Sequence, residues 1–254
     1  PHSAGLSTID YLILDPYILP DRRELLIEQP LVLKHAWYPL TPQIFRDKIP
    51  LTPEPPAAAN GFVTFGTANN PQKYTAEVLR TWAQIMQACP GSRFLFIRPE
   101  GGASSFRQNI LDAFAQEGIQ AERIQFEAVR GAHLPHYNRI DISLDPFPQT
   151  GGTTTCESLW MGAPCVTLAG EAPFERLSYS VLANLELLDL SANTVPEYLE
   201  IAARLAHDGG RLAALRSGMR ARMRASPLGR TDAWARDFYD LVARTVEVGG
   251  ALKT

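Results

Sequence analysis

From Gly61 onward the sequence alternates between short apolar runs and longer stretches with an apolar residue every three or four positions. Few folds accept that rhythm. The runs "GFVTFGTA", "SRFLFIRPE", "ERIQFEAV", "DISLDPF", "APCVTLAG" and "LLDLSA" predict strands. They are near-continuously apolar, as strands are when both sheet faces are covered. Between them, "TAEVLRTWAQIMQACPG" predicts a helix. Val78, Leu79, Trp82, Ile85, Met86 and Cys89 share its face, and Pro90-Gly91 ends it. "SSFRQNILDAFAQEG" predicts a second helix, with a serine N-cap and a glycine stop. "HLPHYNRI", "TTTCESLWMG" and "PFERLSYSVLANLE" predict three more. Strands alternating with helices give an α/β fold with a doubly wound, mostly parallel sheet.

The flanks read differently. Residues 15–59 are proline-rich, which predicts a linker or surface loops with one short helix over 22–29. Pro1 leads straight into the strand-like "IDYLIL", so the start reads as a C-terminal piece cut within a longer domain. The end is helical through "VPEYLEIAARLAHDGG", "RLAALRSGMRARMRAS" and "TDAWARDFYDLVARTV". The last of these puts Trp234, Phe238, Leu241 and Val242 on one face. Arg216, Arg220, Arg222 and Arg224 are expected to form a solvated helical face. No internal repeat is visible.

Composition narrows the function. The 254 residues are 45% hydrophobic, enough for a sizeable core, and a net charge of −3 argues against a nucleic-acid or anionic-membrane partner. Three cysteines without a C-x-x-C favour a reducing compartment, so a cytoplasmic location is expected. There is no signal-peptide pattern and no apolar run long enough to span a bilayer.

Ligands of open α/β sheets bind outside the carboxyl ends of the strands. Here those ends carry "NNPQKYT", "RPEGG", "VRGAH", "DPFPQTGGTTT" and "AGEAPFER", a rim rich in Gly, Thr, Asn and basic residues. Gly151, Gly152, Thr153 and Thr154 open a predicted helix. Either they seat an anion on unpaired amides, or a threonine simply caps the helix. Glu157, one turn in, is placed to take ribose hydroxyls or to complement the helix dipole. Lys73 can neutralise a diphosphate or stand in solvent. Arg130 and His133 can meet a base or be ordinary corner residues. The chain has no P-loop, no G-x-G-x-x-G, no H-E-x-x-H, no D-x-D and no G-x-S-x-G.

Taken in order, "NNPQKYT", "VLRTWAQIM", "RGAHLPHYNRIDISLDPFP", "GGTTTCESLWMGAPCVTLAGE" and "SPLGRTDAWARDFYDLV" resemble the C-terminal catalytic lobe of the O-linked N-acetylglucosamine transferase family. That family includes bacterial homologues and the SPINDLY-like proteins. The resemblance runs from about Asp10 to the end and is densest between Asn69 and Arg176. It implies a GT-B glycosyltransferase, with a Rossmann-like nucleotide-sugar lobe over 61–226, the end of an N-terminal lobe plus linker over 1–60, and a C-terminal helix over 227–254. It implies metal-independent chemistry without a cofactor: inverting transfer, in the first instance of N-acetylglucosamine from UDP, to Ser or Thr of a protein. GDP-fucose or UDP-glucose as donor, or a non-catalytic nucleotide-sugar module, are the alternatives.

By the same resemblance Lys73 binds the diphosphate, Arg130 lies beside the base and His133 stacks on it. Thr153 and Thr154 sit at the diphosphate, and Glu157 replaces a ribose-binding aspartate. Asp10 is expected near the reacting centre. Gly152 stands where animal members carry histidine and Asn70 where they carry glutamine, which points to a bacterial-type branch. The implied partners are the UDP-sugar donor, a protein or peptide acceptor, and an N-terminal lobe with tetratricopeptide helices that these residues do not contain. Alone, the chain is expected to bind donor and transfer little.

Overall fold

Six short parallel strands carry the fold: β3 (Thr64–Thr67), β4 (Arg93–Ile97), β5 (Ile124–Glu127), β6 (Ile142–Leu144), β7 (Cys165–Leu168) and β8 (Ser191–Ala192). The computed structural model describes residues 3–41, 45 and 48–251. Residues 1–2, part of the proline-rich stretch (42–44 and 46–47) and residues 252–254, where the C-terminal helix was expected to end, lie outside the described residues. Ahead of the sheet come β1 (Tyr11–Leu14), β2 (Gln29–Val32) and α1 (Pro56–Asn60). The helices between and after its strands are α2 (Ala76–Ala88), α3 (Ser104–Gln116), α4 (Thr153–Trp160), α5 (Leu177–Asn184), α6 (Val195–Ala206), α7 (Gly209–Ala225) and α8 (Thr231–Ala251).

The sheet order is β5-β4-β3-β6-β7-β8, with every neighbouring pair parallel. This is the order of the doubly wound dinucleotide folds, and the winding reverses between β3 and β6. Those two strands pair in register, Phe65 opposite Ile142 and Gly66 opposite Ser143. Gly66 permits the approach. A Cβ there would lie 2.8 Å from both Ile140 Cγ1 and Leu95 O. The reversal opens a crevice at the carboxyl ends of β3 and β6, which is where the site forms.

Helix α2 follows its apolar spacing: Val78, Leu79, Trp82, Ile85 and Met86 are buried, and Thr75 Oγ1 caps it by accepting from Val78 N at 3.2 Å. Trp82 stacks on Phe94 of β4 at 5.1 Å and donates its Nε1–H to Tyr198 of α6 at 3.1 Å. Tyr198 in turn donates to Asp145 O at 3.0 Å. The core therefore reaches the end of β6 by a continuous hydrogen-bonded path.

Four local expectations change. The cap of α3 is Ala103 and makes no side-chain bond, so Ser104 is the first helical residue. Gly118, at φ 75°, does close that helix. The helix expected over 22–29 shrinks to a 3-10 turn at Arg23–Leu25. Pro30 disfavours helix at Gln29, and Gln29–Val32 instead pairs in parallel with Tyr11–Leu14. Before α5 and β8, short 3-10 turns take the leading residues of the expected elements.

The fourth change is in the arginine series: Arg216 is buried and Arg220 partly buried, while Arg222 and Arg224 are exposed as expected. Arg216 is 1% exposed. It donates to Thr52 O at 2.8 Å, Ile140 O at 3.3 Å and Asn138 Oδ1 at 3.2 Å. Arg220 donates to Trp160 O at 2.8 Å and Ile49 O at 3.0 Å, and Arg222 to Leu185 O at 2.8 Å. Each guanidinium donates to main-chain carbonyls of distant segments.

Residues 33–40, inside the proline-rich stretch, lie between the lobe and α8. Leu40 N donates to Leu228 O at 2.8 Å and Trp234 Nε1 to Ala36 O at 2.9 Å. Among the described residues, no helix is long and apolar enough to cross a membrane.

Candidate active site

Two segments meet at the crevice. After β3 the chain turns through Ala68–Asn69–Asn70 into a 3-10 turn at Pro71–Lys73, capped by Asn70 Oδ1, which accepts from Gln72 N at 3.0 Å. After β6 it runs from Asp145 to the glycine pair and into α4. Lys73 bridges the two: its Nζ donates to Thr150 O at 2.8 Å and to Asn69 Oδ1 at 3.3 Å. Burial pulls the Lys73 pKa down, and the nearby Asp145 partly opposes that.

Asp145 organises the turn. It is fully buried. Its Oδ1 accepts from Gly151 N at 2.8 Å and Asn69 Nδ2 at 3.3 Å, and its Oδ2 accepts from Thr167 Oγ1 at 2.8 Å. Burial raises its carboxyl pKa, and bonds to Ser178, Thr167 and Gly151 N oppose the rise. Gly151 is required by space. A Cβ there would lie 2.8 Å from Asp145 Oδ1 and from Thr154 Oγ1 and would collide with Thr155 Oγ1. Gly152 is not crowded in that way, since a Cβ would meet Trp37 Cζ2 at 3.5 Å and Leu177 Cδ1 at 4.0 Å, both ordinary contacts.

Gly152 is the N-cap of α4 and has no side chain with which to bond the first turn. Thr153 is therefore the first helical residue rather than the cap. Thr154 Oγ1 donates sideways to Asn69 Oδ1 at 3.0 Å. Among the described residues, the N–H groups of Thr153, Thr154 and Thr155 meet no acceptor. The plain-cap reading is thus set aside: the helix end presents open amides and the positive end of its dipole.

Beside this end lies a cavity of about 290 Å³. Ala68 of the β3 end, Arg98 of the β4 end, Val129, His133, Thr154 and Glu157 help to line it. Glu157 is 6% exposed, and its Oε2 lies 3.0 Å from His133 Nε2. His133 Nδ1 lies 2.9 Å from Gly131 O. A carbonyl and a carboxylate can only accept, so this geometry assigns a proton to both ring nitrogens. The bond to Glu157 raises the His133 pKa, against the opposing effect of burial.

A pH dependence follows. A raised native pKa means that the His133 contribution is whole below the ordinary histidine value of about 6.5 and is lost as pH rises through the native value. Urea unfolding at a series of pH values should show the stability margin of wild type over His133→Gln shrinking above about pH 6.5. A margin that stays constant would contradict the charged pair.

Lys73, Gly151, Gly152, Thr153, Thr154, His133 and Glu157 all line this crevice or build its turn. Asn70 is near but exposed, and it caps a turn. Its neighbour Asn69 is the buried asparagine that links Lys73, Thr154 and Asp145. Arg130 does not line the cavity. It stands on an adjoining open cleft with Glu100 and Ala128, and Pro99 lines both. Asp10 is exposed ahead of β1, where its carbonyl accepts from Gln29 N at 2.9 Å, and among the described residues no hydrogen bond or ion pair joins its side chain to the crevice. Arg98 is the arginine that does line the cavity, held by Glu100 through two bonds of 3.0 Å. Its place at the end of an apolar strand was a usable signal, as was that of Asp145. Among the described residues, no three His, Cys, Asp or Glu side chains are grouped to hold a metal ion.

Comparison with known proteins converges on one family. The family model described as glycosyl transferase family 41 matches residues 56–238. A Petunia hybrida protein described as a probable UDP-N-acetylglucosamine–peptide N-acetylglucosaminyltransferase SPINDLY is 39% identical over 232 residues, which is 90% of this chain and 25% of that protein. The Arabidopsis thaliana protein SEC, given the same probable activity, is 28% identical over 94% of this chain and 25% of its own length. The chain thus spans about a quarter of the length of these relatives. A solved Thermobaculum terrenum O-GlcNAc transferase mutant superposes with a TM-score of 0.84 at 30% identity, covering 95% of this chain and 46% of that one. The glycosyltransferase WaaG shares the fold alone, with a TM-score of 0.57 at 12% identity over 89% of this chain and 62% of its own. The doubly wound lobe is accordingly that of a GT-B glycosyltransferase. With its glycine–threonine helix end at the point where the sheet reverses, the chain belongs to glycosyl transferase family 41.

Proposed function

We propose that this chain supplies the nucleotide-sugar site of a protein O-glycosyltransferase, with UDP-N-acetylglucosamine as donor. The observation that carries this reading is the convergence of Lys73 Nζ and the open first-turn amides of α4 on one crevice, with Glu157 one helical turn further on. The Lys73 ammonium and the α4 dipole match two phosphates. The carboxylate of Glu157 matches the vicinal hydroxyls of a ribose, and the cavity between β4, β5 and α4 takes the base, with His133 and Arg98 on its walls. Binding a ribose at Glu157 requires it to exchange its bond to His133, which frees the imidazole to turn its face toward the base.

In the reaction, the acceptor hydroxyl oxygen of a Ser or Thr attacks the anomeric carbon and its proton is released to solvent. The bond from that carbon to the diphosphate oxygen breaks with inversion, and UDP leaves with an added negative charge. Lys73 and the α4 amides stabilise that charge where it develops. The residues outside this chain in the longer relatives are proposed to bring the acceptor. No step is assigned to Asp10, because among the described residues no hydrogen bond or ion pair brings its side chain to the seat.

Competition against a labelled UDP probe tests the donor. UDP-N-acetylglucosamine is expected to displace the probe at least as well as UDP-glucose and on the order of 100-fold better than GDP-fucose, the discrimination polar base contacts can give. Stronger displacement by GDP-fucose would overturn the donor and leave the diphosphate seat standing.

A further inference from the structure

The anion seat is held from outside its own lobe. Residues 33–40 contain no regular element, yet they are fixed at several points. Leu33 N donates to Leu14 O at 2.9 Å, and Trp37 N donates to the buried carboxylate of Asp15 at 2.9 Å. Asp15 also accepts from the hydroxyl of Ser180 on α5. The Trp37 ring, 4.2 Å from that of Tyr38, covers Gly152. Its indole Nε1 is buried without an acceptor, so packing and its backbone bond place it.

Tyr38 hydroxyl donates to Gly152 O at 3.0 Å, the carbonyl that also accepts the first helical bond of α4 from Cys156 N at 3.1 Å. The Gly152 carbonyl and the Thr153 N–H belong to one planar trans peptide and point in opposite directions. Whatever fixes the carbonyl therefore aims the N–H. Glycine leaves this peptide freer to rotate than any other residue would, and Gly152 sits at φ −150° and ψ −84°, in neither the helical nor the extended region.

We propose that Tyr38 is a positioning residue for the diphosphate: by holding Gly152 O it directs the Thr153 N–H into the anion seat. The phenol is suited to this. Burial raises its pKa well above the ordinary tyrosine value, so the hydroxyl stays a donor across the working pH range. Its second neighbour is Cys156 Sγ at 2.6 Å; with the one phenol proton on Gly152 O, the thiol donates to the phenol oxygen. The inference rests on the nucleotide-sugar reading above.

Titration of uridine and UDP into wild type, Tyr38→Phe and Cys156→Ala tests it. Tyr38→Phe keeps the ring and removes one hydrogen bond. UDP should bind it about fivefold more weakly, uridine unchanged, because only the diphosphate uses the aimed amide. Cys156→Ala should leave both affinities as in wild type. Equal losses for uridine and UDP in Tyr38→Phe would mark a merely structural role and overturn the inference. So would an unchanged UDP affinity. Either result leaves the nucleotide site itself intact, whereas a wild type that takes neither ligand removes the site and this inference together.

Discussion

Replacing Lys73 by alanine is expected to weaken UDP binding on the order of 100-fold and to leave uridine binding unchanged. A hydrogen bond to a charged partner contributes about 1.5–3 kcal/mol, and the upper part of that range corresponds to the expected loss. Lys73 belongs near the top because it is half-buried, where a diphosphate charge is weakly screened. In the free chain its ammonium donates to Thr150 O and Asn69 Oδ1, both neutral acceptors, so it has no carboxylate partner to give up. Where transfer is measured with the acceptor side present, the same substitution should lower kcat by about 100–1000-fold, since the leaving charge grows in the transition state. Asn69 stays bonded to Asp145 and Thr154 in the variant, so the fold should be kept. A variant that binds UDP within about threefold of wild type, well under 1 kcal/mol, would remove Lys73 from the site.

The second large effect is on stability. Asp145→Ala deprives Gly151 N, Asn69 Nδ2 and Thr167 Oγ1 of their buried acceptor at once. Leaving a buried donor unpaired costs about 1–3 kcal/mol, and here three donors lose their acceptor together. Urea denaturation should register about 3–5 kcal/mol, and thermal unfolding a fall of roughly 10 °C for a chain of this size. Asp145→Asn discriminates the cause. It keeps an oxygen for Gly151 N and sheds a carboxylate whose ionised form burial disfavours, so it should cost less than about 1.5 kcal/mol. If alanine proved as benign as asparagine, the turn would not depend on Asp145.

These residues also show how much the sequence discloses. Helix α2 was legible residue by residue, because a single amphipathic period and the Pro90-Gly91 stop agree. The parallel α/β class followed from the rhythm of runs. The strand order did not, because any of several orders satisfies the same alternation, and the one adopted depends on Gly66 letting β3 lie close beneath Ile140. Lys73 stood out as a cation at a strand end. Asn69 did not stand out from Asn70, since only the turn decides which of two adjacent asparagines points inward. Arg216 and Arg220 looked solvated because their spacing of four is that of a polar helix face. Their carbonyl partners come from segments about 60–170 positions away in sequence. Tyr38 was hidden in a stretch whose prolines read as linker.

Calorimetric titration of the protein with UDP and with uridine tests the central claim most directly. The account predicts one saturable UDP site and uridine binding at least tenfold weaker, a difference of about 1.4 kcal/mol or more carried by Lys73 and the α4 amides. Equal affinities for the two ligands, or no heat from either, would contradict it.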